Sequence, residues 1–489
     1  MATVQNGSRE PSLVGRLESF LKQIPALRGT RTRVRAELSA LVHTIRSGVW
    51  RQVFRGRRER NSRRRQLPLV WQSSLSLDSS QPDLAGELRR LGIQYHEGSH
   101  ALYIPPQAGL AATLGAFVDA YPPDAGYKLL KNPKGPDDAH YIGDLRRHPW
   151  VRSALVGTAA DLIPVANFLH DQQIAPRLYD VAQLTAGASQ LTMFVVQHIA
   201  GTCPTEEECA TFLGRLRQLS ESNQLITSLA DWEHHDDFLS PDCNGNLLKS
   251  SVDGQLYYVD FQNFLIPEYD TYLHKVLDNA RNTVHFGREY LFRGGRYLYQ
   301  QIPGVASSGK RDIRLRWEQI KTLLAQQNVG VRGRVVLDVG CNTGMVLAET
   351  LNDGAQLGIG WDLPEVVAHG SKILSALGYT RYHLTGARLA KNYPLMADIP
   401  SHLHPQLGNS ILLYLAIRHH IGLIDALASV PWQVLVYEGP QEETPDELRE
   451  VIHQLEEMAS CEVAATGEIE DGDCTKRPLV VFRRRSQRP

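Results

Sequence analysis

The stretch VVLDVGCNTGMVLAETL, residues 335–351, decides the fold of the carboxyl-terminal part of this 489-residue chain. Its apolar run, Val335–Val339, leads into Gly340-Cys341-Asn342-Thr343-Gly344 and then into a helical pattern. Glycines in such a loop let the backbone turn tightly and approach a ligand that a Cβ would exclude. About twenty residues on, LGIGWD supplies a second strand ending in Asp362. From Gly333 onward, strand candidates RVVLDV, QLGIGWD, ILLYLA, WQVLVYE and PLVVFRR alternate with helical segments. That alternation predicts a doubly wound α/β sheet with its ligand at the carboxyl edge.

A lone GxxxG after a strand is a weak signal, and a nicotinamide-binding domain gives a similar βαβ pattern. The loop GCNTG lacks the third glycine of the dinucleotide fingerprint. The string LDVGCNTG with its second acidic strand resembles class I S-adenosylmethionine-dependent methyltransferases over about residues 310–485. The resemblance implies S-adenosylmethionine as cofactor, held by Asp338, Gly340, Asn342 and Gly344, with Asp362 on the ribose diol. It places Asp398, in MADIP, near the adenine end, although LMADIP also reads as a plain turn. The strand and loop SILLYLAIRHHIG (410–422) put Arg418, His419 and His420 where the acceptor reacts. Either histidine can serve as general base for a hydroxyl, or the pair can simply cap the strand. Glu438 ends WQVLVYE at the same edge. No DPPY-type amino-methylation motif is present, which favours an oxygen acceptor. The lead-in RWEQIKTLL...VRGRVVLDVGC also resembles methyltransferases that modify tRNA wobble uridine or polysaccharides.

Upstream, HHDDFLSPDCNGNLLKSSVDGQLYYVDFQNF (234–264) joins an acidic loop to a hairpin and a second Asp. It resembles the catalytic and metal loops of protein-kinase-like phosphotransferases. The resemblance implies ATP and Mg²⁺, with Asn246 and Asp260 as metal ligands and Asp242, or alternatively Asp237, as the catalytic carboxylate. Lys131, or otherwise Lys128, in GYKLLKNP stands where the phosphate-binding lysine belongs, and MFVVQHIAG resembles the hinge. The pattern departs from kinases at Pro241 and at Gln262, where the DFG glycine belongs. A glycine-rich phosphate loop is lacking, and Asp161 is the nearest acidic partner for the lysine.

The net charge of −1 hides an asymmetry. Residues 1–65 carry 16 basic and 4 acidic side chains, a balance of +12, so the remainder carries −13. Apolar residues at Leu13, Leu17, Phe20, Leu21 and Ile24, then at Val34, Leu38, Leu41, Val42 and Ile45, recur at helical spacing among the arginines. Such a basic amphipathic arm can dock on its own protein, on an anionic membrane, on a partner helix or on nucleic acid. Six cysteines without a CxxC pair make no disulfide framework, and a reducing cytosol is the simplest compartment. No run of 18 apolar residues is present.

Together these features predict an α/β multidomain chain. A helical arm (1–66) precedes a kinase-like α+β domain (67–275), a mostly helical linker (276–332) and a Rossmann-like methyltransferase domain (333–489). The combination resembles bifunctional kinase–methyltransferases that terminate O-antigen chains, with the domain order reversed. That resemblance implies a glycan or glycolipid acceptor and a cytoplasmic enzyme docked through its arm on the inner face of the membrane or on glycosyltransferases. The competing readings are an RNA methyltransferase gripping phosphates with its arm, and a methyltransferase carrying a pseudokinase scaffold.

Overall fold

The segment SQLTMFVVQ is apolar at consecutive positions, as a strand covered on both faces must be. The computed structural model describes residues 66–78, 83–98, 101–130, 162–222, 226–227, 247–259, 264–265, 269–283, 291–292, 295–296, 298–302, 309–441, 443–470 and 476–485. There the segment forms β6 of a six-stranded sheet. Its strands are β1 (Val70–Leu77), β2 (His96–Glu97), β3 (Ala101–Ile104), β4 (Ala125–Leu130), β5 (Leu178–Gly187) and β6 (Ser189–Gln197). They lie in the order β1-β5-β6-β4-β3-β2, with β1 parallel to β5 and the other pairs antiparallel. Leu191, Met193 and Val195 join Tyr127 and Leu129 in one core. Phe194 and Val196 point the other way, joining Leu130 and the helix Ile163–Asp171 in a second core. Both faces are therefore buried, and period-2 alternation partitions one strand between two cores.

Short ladders follow. β7 (Gly201–Thr202) and β10 (Leu256–Tyr258) flank β9 (Leu247–Ser250), and β8 (Ile226–Thr227) pairs with β11 (Phe264–Leu265). The stretch expected to be mostly helical contains the helices Tyr269–Thr283 and Ile313–Gln326, but strands lie between them. These are the hairpin β12 (Leu291–Phe292) and β13 (Gly295–Arg296), and the parallel pair β14 (Leu298–Gln300) and β15 (Gly309–Arg311). Leu273, Leu277, Leu298, Ile313 and Trp317 all belong to the core under the carboxyl-terminal sheet.

That sheet has seven strands: β16 (Val335–Val339), β17 (Leu357–Asp362), β18 (Tyr382–Gly386), β19 (Ser410–Leu415), β20 (Trp432–Glu438), β21 (Cys461–Glu470) and β22 (Lys476–Arg484). The order is β18-β17-β16-β19-β20-β22-β21, parallel except for β22, which runs antiparallel to both of its neighbours. The expected doubly wound, Rossmann-like arrangement is present. Helices Ile313–Gln326, Met345–Asn352 and Pro364–Leu377 cover one face, and Pro445–Ala459 covers the other. On the first face Val336 and Asp338 of β16 lie alongside Val434, Val436 and Glu438 of β20, so two carboxylates share one side.

The two sheets meet through buried polar contacts. The Gln66 side chain donates to Thr380 Oγ1 at 2.9 Å and accepts from the Thr380 N–H at 3.1 Å. Asn167 Nδ2 donates to the carbonyls of Ser375 and Tyr379, both at 3.0 Å. Arg381 lies 3.7 Å from the Asp180 carboxylate, which also accepts from Tyr121 Oη at 2.9 Å. Groups this deeply buried are retained only when paired.

Cys209, Cys341 and Cys461 are buried and form no disulfide, whereas Cys203 is disulfide-bonded, which departs from the expectation of reduced thiols. Among the described residues no helix is long and apolar enough to cross a membrane. The basic arm over residues 1–65 lies outside the described residues.

Candidate active site

The loop after β16 is fixed from the neighbouring strand. Trp361 O accepts from the N–H groups of Gly340 and Cys341 at 2.9 and 3.1 Å. Asp362 Oδ2 accepts from the Asn342 N–H at 2.7 Å, and its other oxygen accepts from Leu363 N–H. Gly340 has φ +78°, and a Cβ there would come within 2.8 Å of the Ile417 side chain. Only glycine meets both demands, which accounts for the residue. Gly344, at φ +79°, precedes the helix Met345–Asn352 and offers no side-chain cap. Gln300 of β14 takes that role: its Oε1 accepts from Met345 N–H at 3.1 Å and from Thr343 Oγ1 at 3.3 Å.

A cleft of about 1230 Å³ opens over this edge. Asp338, Gly340, Asn342, Asp362, Arg418, His419 and His420 all line it, so most of the residues expected here come together. Asp338 is fully buried, and burial pushes its carboxyl up to about 7 against the opposing pull of Arg316. Burial also raises Asp362, partly offset by the two backbone N–H donors. Asp398 is not in the cleft lining. Its carboxylate accepts from Trp361 Nε1 at 3.0 Å and Tyr393 Oη at 2.7 Å, which fixes the Trp361 ring.

At the end of β19 the short helix Arg418–Ile421 carries both histidines, their rings 3.7 Å apart. Partial burial lowers the His419 imidazole, and His420, Arg477 and Arg311 lower it further. A neutral imidazole at pH 7 can accept a proton. Arg418 pairs with Glu443 at 2.5 Å, and Tyr437 Oη donates to the same oxygen at 2.7 Å.

Sequence reasoning missed an arginine cluster. Arg316 lies 2.6 Å from Glu438, with Arg477 at 3.4 Å and Arg311 at 3.8 Å. All three arginines line the cleft, and the Arg311 guanidinium lies 5.0 Å from the Tyr299 ring centre. Only Glu438 was visible beforehand, as a strand-end carboxylate. Its partners come from β15, the following helix and β22, and no local spacing signals their convergence.

In the central part, Asp242, Asp237, Asn246, Asp260, Lys131 and Asp161 lie outside the described residues. Lys128 is described, half-buried on β4 opposite Phe194. Two residues before it, a Cβ on Gly126 would fall 2.2 Å from Tyr103 Oη. The Tyr103 hydroxyl is 2.7 Å from His198 Nδ1, and its ring stacks between His96 and His198. Among the described residues no group of three or more His, Cys, Asp or Glu side chains could hold a metal ion.

No family model and no curated protein matches the chain. Solved structures similar to it include magnesium protoporphyrin IX methyltransferase from Synechocystis PCC 6803 with bound SAM. That likeness has 17% identity over 35% of this chain and 78% of the other, with a TM-score of 0.26. A SAM-dependent methyltransferase from Aquifex aeolicus is 15% identical over 35% of this chain and 98% of its own, with a TM-score of 0.26.

Proposed function

We propose that the chain is an S-adenosylmethionine-dependent methyltransferase acting on an oxygen acceptor. The observation that carries this reading is the Gly340–Gly344 loop, tied through Asn342 to the strand-end carboxylate Asp362 beneath an open cleft. The sheet order, with its reversed penultimate strand β22, supports the same reading. The residues present fit the cofactor: Gly340, Asn342 and Asp362 line the cleft, and each Asp362 oxygen, accepting one backbone N–H, keeps a lone pair for a diol. When bound, S-adenosylmethionine supplies an electrophilic methyl group on a sulfonium. The loop and Asp362 bind and orient the donor. His419 holds the position from which an imidazole nitrogen takes a hydroxyl proton. The chain's main contribution is alignment, which supplies a large part of the rate in such transfers. Titrating the full chain with S-adenosylhomocysteine in a calorimeter tests the reading. Saturable binding that Asp362→Ala abolishes is expected, and no binding to the folded chain overturns it.

A second reading concerns the six-stranded sheet. The order β2-β3-β4-β6-β5, with the helix Ile163–Asp171 between β4 and β5 and a crossing at His198–Ala200, is the arrangement a kinase-like amino-terminal lobe would have. It supports a nucleotide-binding origin for this part, with Lys128 on the face of the second core. Tyr103 occupies the space above Gly126 where a flat base would lie, which favours a scaffold over an active phosphotransferase. Binding of Mg²⁺·ATP to the full chain separates the two.

A further inference from the structure

We propose that Glu443 is a positioning residue of this site: through Arg418 it fixes the one-turn helix that presents His419 to the cleft. The inference rests on the methyltransferase reading for the work His419 does, and it assigns to that site a residue on the loop after β20.

The chain leaves β19 through Ala416, which sits at φ +54° in spite of its Cβ. A residue other than glycine stays in the left-handed region only where its surroundings hold it there. Ties on both sides do so. The Ala416 N–H donates to the Glu438 carbonyl at 2.9 Å. Tyr414 Oη donates to the Gly422 carbonyl, which closes the far end of the helix Arg418–Ile421. At the near end Arg418 Nη1 donates to Glu443 Oε1 at 2.5 Å, and Tyr437 Oη donates to the same oxygen at 2.7 Å.

The two charged partners are unequal. The Glu443 side chain is fully buried, whereas that of Arg418 is 27% exposed. A buried carboxylate is costly without a cation, while an arginine near the surface can be served by water. Glu443 is therefore the member that needs the pair and draws Arg418 inward. It is also firmly anchored, directly before Thr444, which caps the helix Pro445–Ala459 in a reciprocal capping box with Glu447. Gly439, just after β20, makes room for it. A Cβ there would collide with Glu443 Oε2 and lie 2.6 Å from Pro478 Cγ.

His419 follows Arg418 directly, so the tie decides where its imidazole stands. Partial burial lowers that imidazole, and His420 on the same helix, Arg477 of β22 and Arg311 of β15 lower it further. The Asp362 carboxylate faces the same turn through His420. Without Glu443 the near end of the helix is released. The imidazole then leaves its partial burial and both arginines, and its pKa returns toward the ordinary 6.5. A pair that merely adds stability would leave the imidazole unchanged. A proton acceptor works from a fixed place within hydrogen-bond reach of the reacting hydroxyl, and the tie secures that place.

The test needs no methyl acceptor. The folded full chain is treated with diethyl pyrocarbonate, which modifies neutral imidazole, and each histidine is followed by tandem mass spectrometry between pH 5 and 8. The rate at pH 5.5 divided by the rate at pH 8 should fall at least twofold at His419 in Glu443→Ala relative to wild type. The fall should be smaller in Glu443→Gln, which keeps an oxygen for Arg418. Gly439→Ala, which displaces the carboxylate and leaves Arg418 and Tyr437 intact, should reproduce it, and supplies the comparison if Glu443→Ala unfolds. An unchanged ratio beside a lowered melting temperature would make Glu443 a structural partner only and overturn the proposal. An equal fall at His369, on the helix Pro364–Leu377, would mean general loosening and overturn it as well. Failure of wild type to bind S-adenosylhomocysteine is a different result: it removes the methyltransferase reading, and the ratio at His419 still decides whether Glu443 sets that imidazole.

Discussion

Asp362, at the end of β17, accepts the backbone N–H of Asn342 at 2.7 Å and so holds the loop that ends β16. One carboxylate thereby shapes the loop and faces the cleft. The coupling explains why a residue twenty positions away governs Asn342, which sits at φ +53° in the left-handed region. Asp362→Asn keeps the size but loses the charge-assisted bond, worth about 1.5–3 kcal/mol. S-adenosylhomocysteine affinity should fall at least tenfold by calorimetry, with a smaller loss of thermal stability. Unchanged affinity would remove Asp362 from the site.

Gly340→Ala tests the loop's two demands separately. The positive φ costs about 1–2 kcal/mol for a residue with a Cβ. The 2.8 Å approach to Ile417 adds a steric cost that the end of a flexible side chain can partly relieve. Gly340→Ala should lower the urea midpoint, and adding Ile417→Ala should not restore it fully. Full restoration would mean that crowding alone, and not backbone conformation, requires the glycine.

The pH dependence of stability should carry the mark of Asp338. Its folded pKa, about 7, lies above the ordinary 3.8, because burial favours the protonated form. That preference stabilises the fold fully below about pH 3.8 and is lost as pH rises through about 7. Asp338→Asn is neutral at every pH. Relative to this variant, wild type should lose several degrees of melting temperature between pH 5 and 8. A constant difference would show that Asp338 stays ionised, held so by Arg316.

These acids also show what the sequence made legible. β16, β17, β19, β20 and β22 were readable because interior strands of a doubly covered sheet are nearly continuous apolar runs. The two strands that escaped, β18 and β21, are the sheet's edges. YHLTG is half-buried through most of its length, and CEVAATGEIE exposes much of its second half, so neither carries a clear period. The Gly340 loop was readable because its residues are local. The cluster of Arg311, Arg316 and Arg477 around Glu438 was not, since the tertiary fold alone brings β15 and β22 together. Asp398, placed near the adenine end by analogy, has a carboxylate that accepts from Trp361 and Tyr393, contacts that no local spacing announces.

His419 supplies a kinetic prediction. Burial and its cationic neighbours lower it from 6.5, so the neutral form persists into mildly acid solution. Methyl transfer to a hydroxyl should hold its rate down to below pH 6.5 and fall at lower pH. His419→Gln should remove that acid limb and cost on the order of 10²–10⁴ in kcat. A retained limb with full activity would leave His419 a strand cap, and the same profile in His420→Gln would identify the base.

Tyr103 decides the second reading. Its hydroxyl meets His198 Nδ1 at 2.7 Å, and its ring fills the space a Cβ on Gly126 would enter. If this space once received a base, wild type should bind fluorescent ATP weakly. Tyr103→Ala, which removes the ring and leaves Lys128 in place, should then bind at least tenfold more tightly. Equal affinities for the two chains would mean that the sheet shares strand order with nucleotide-binding lobes but never held a nucleotide at this position.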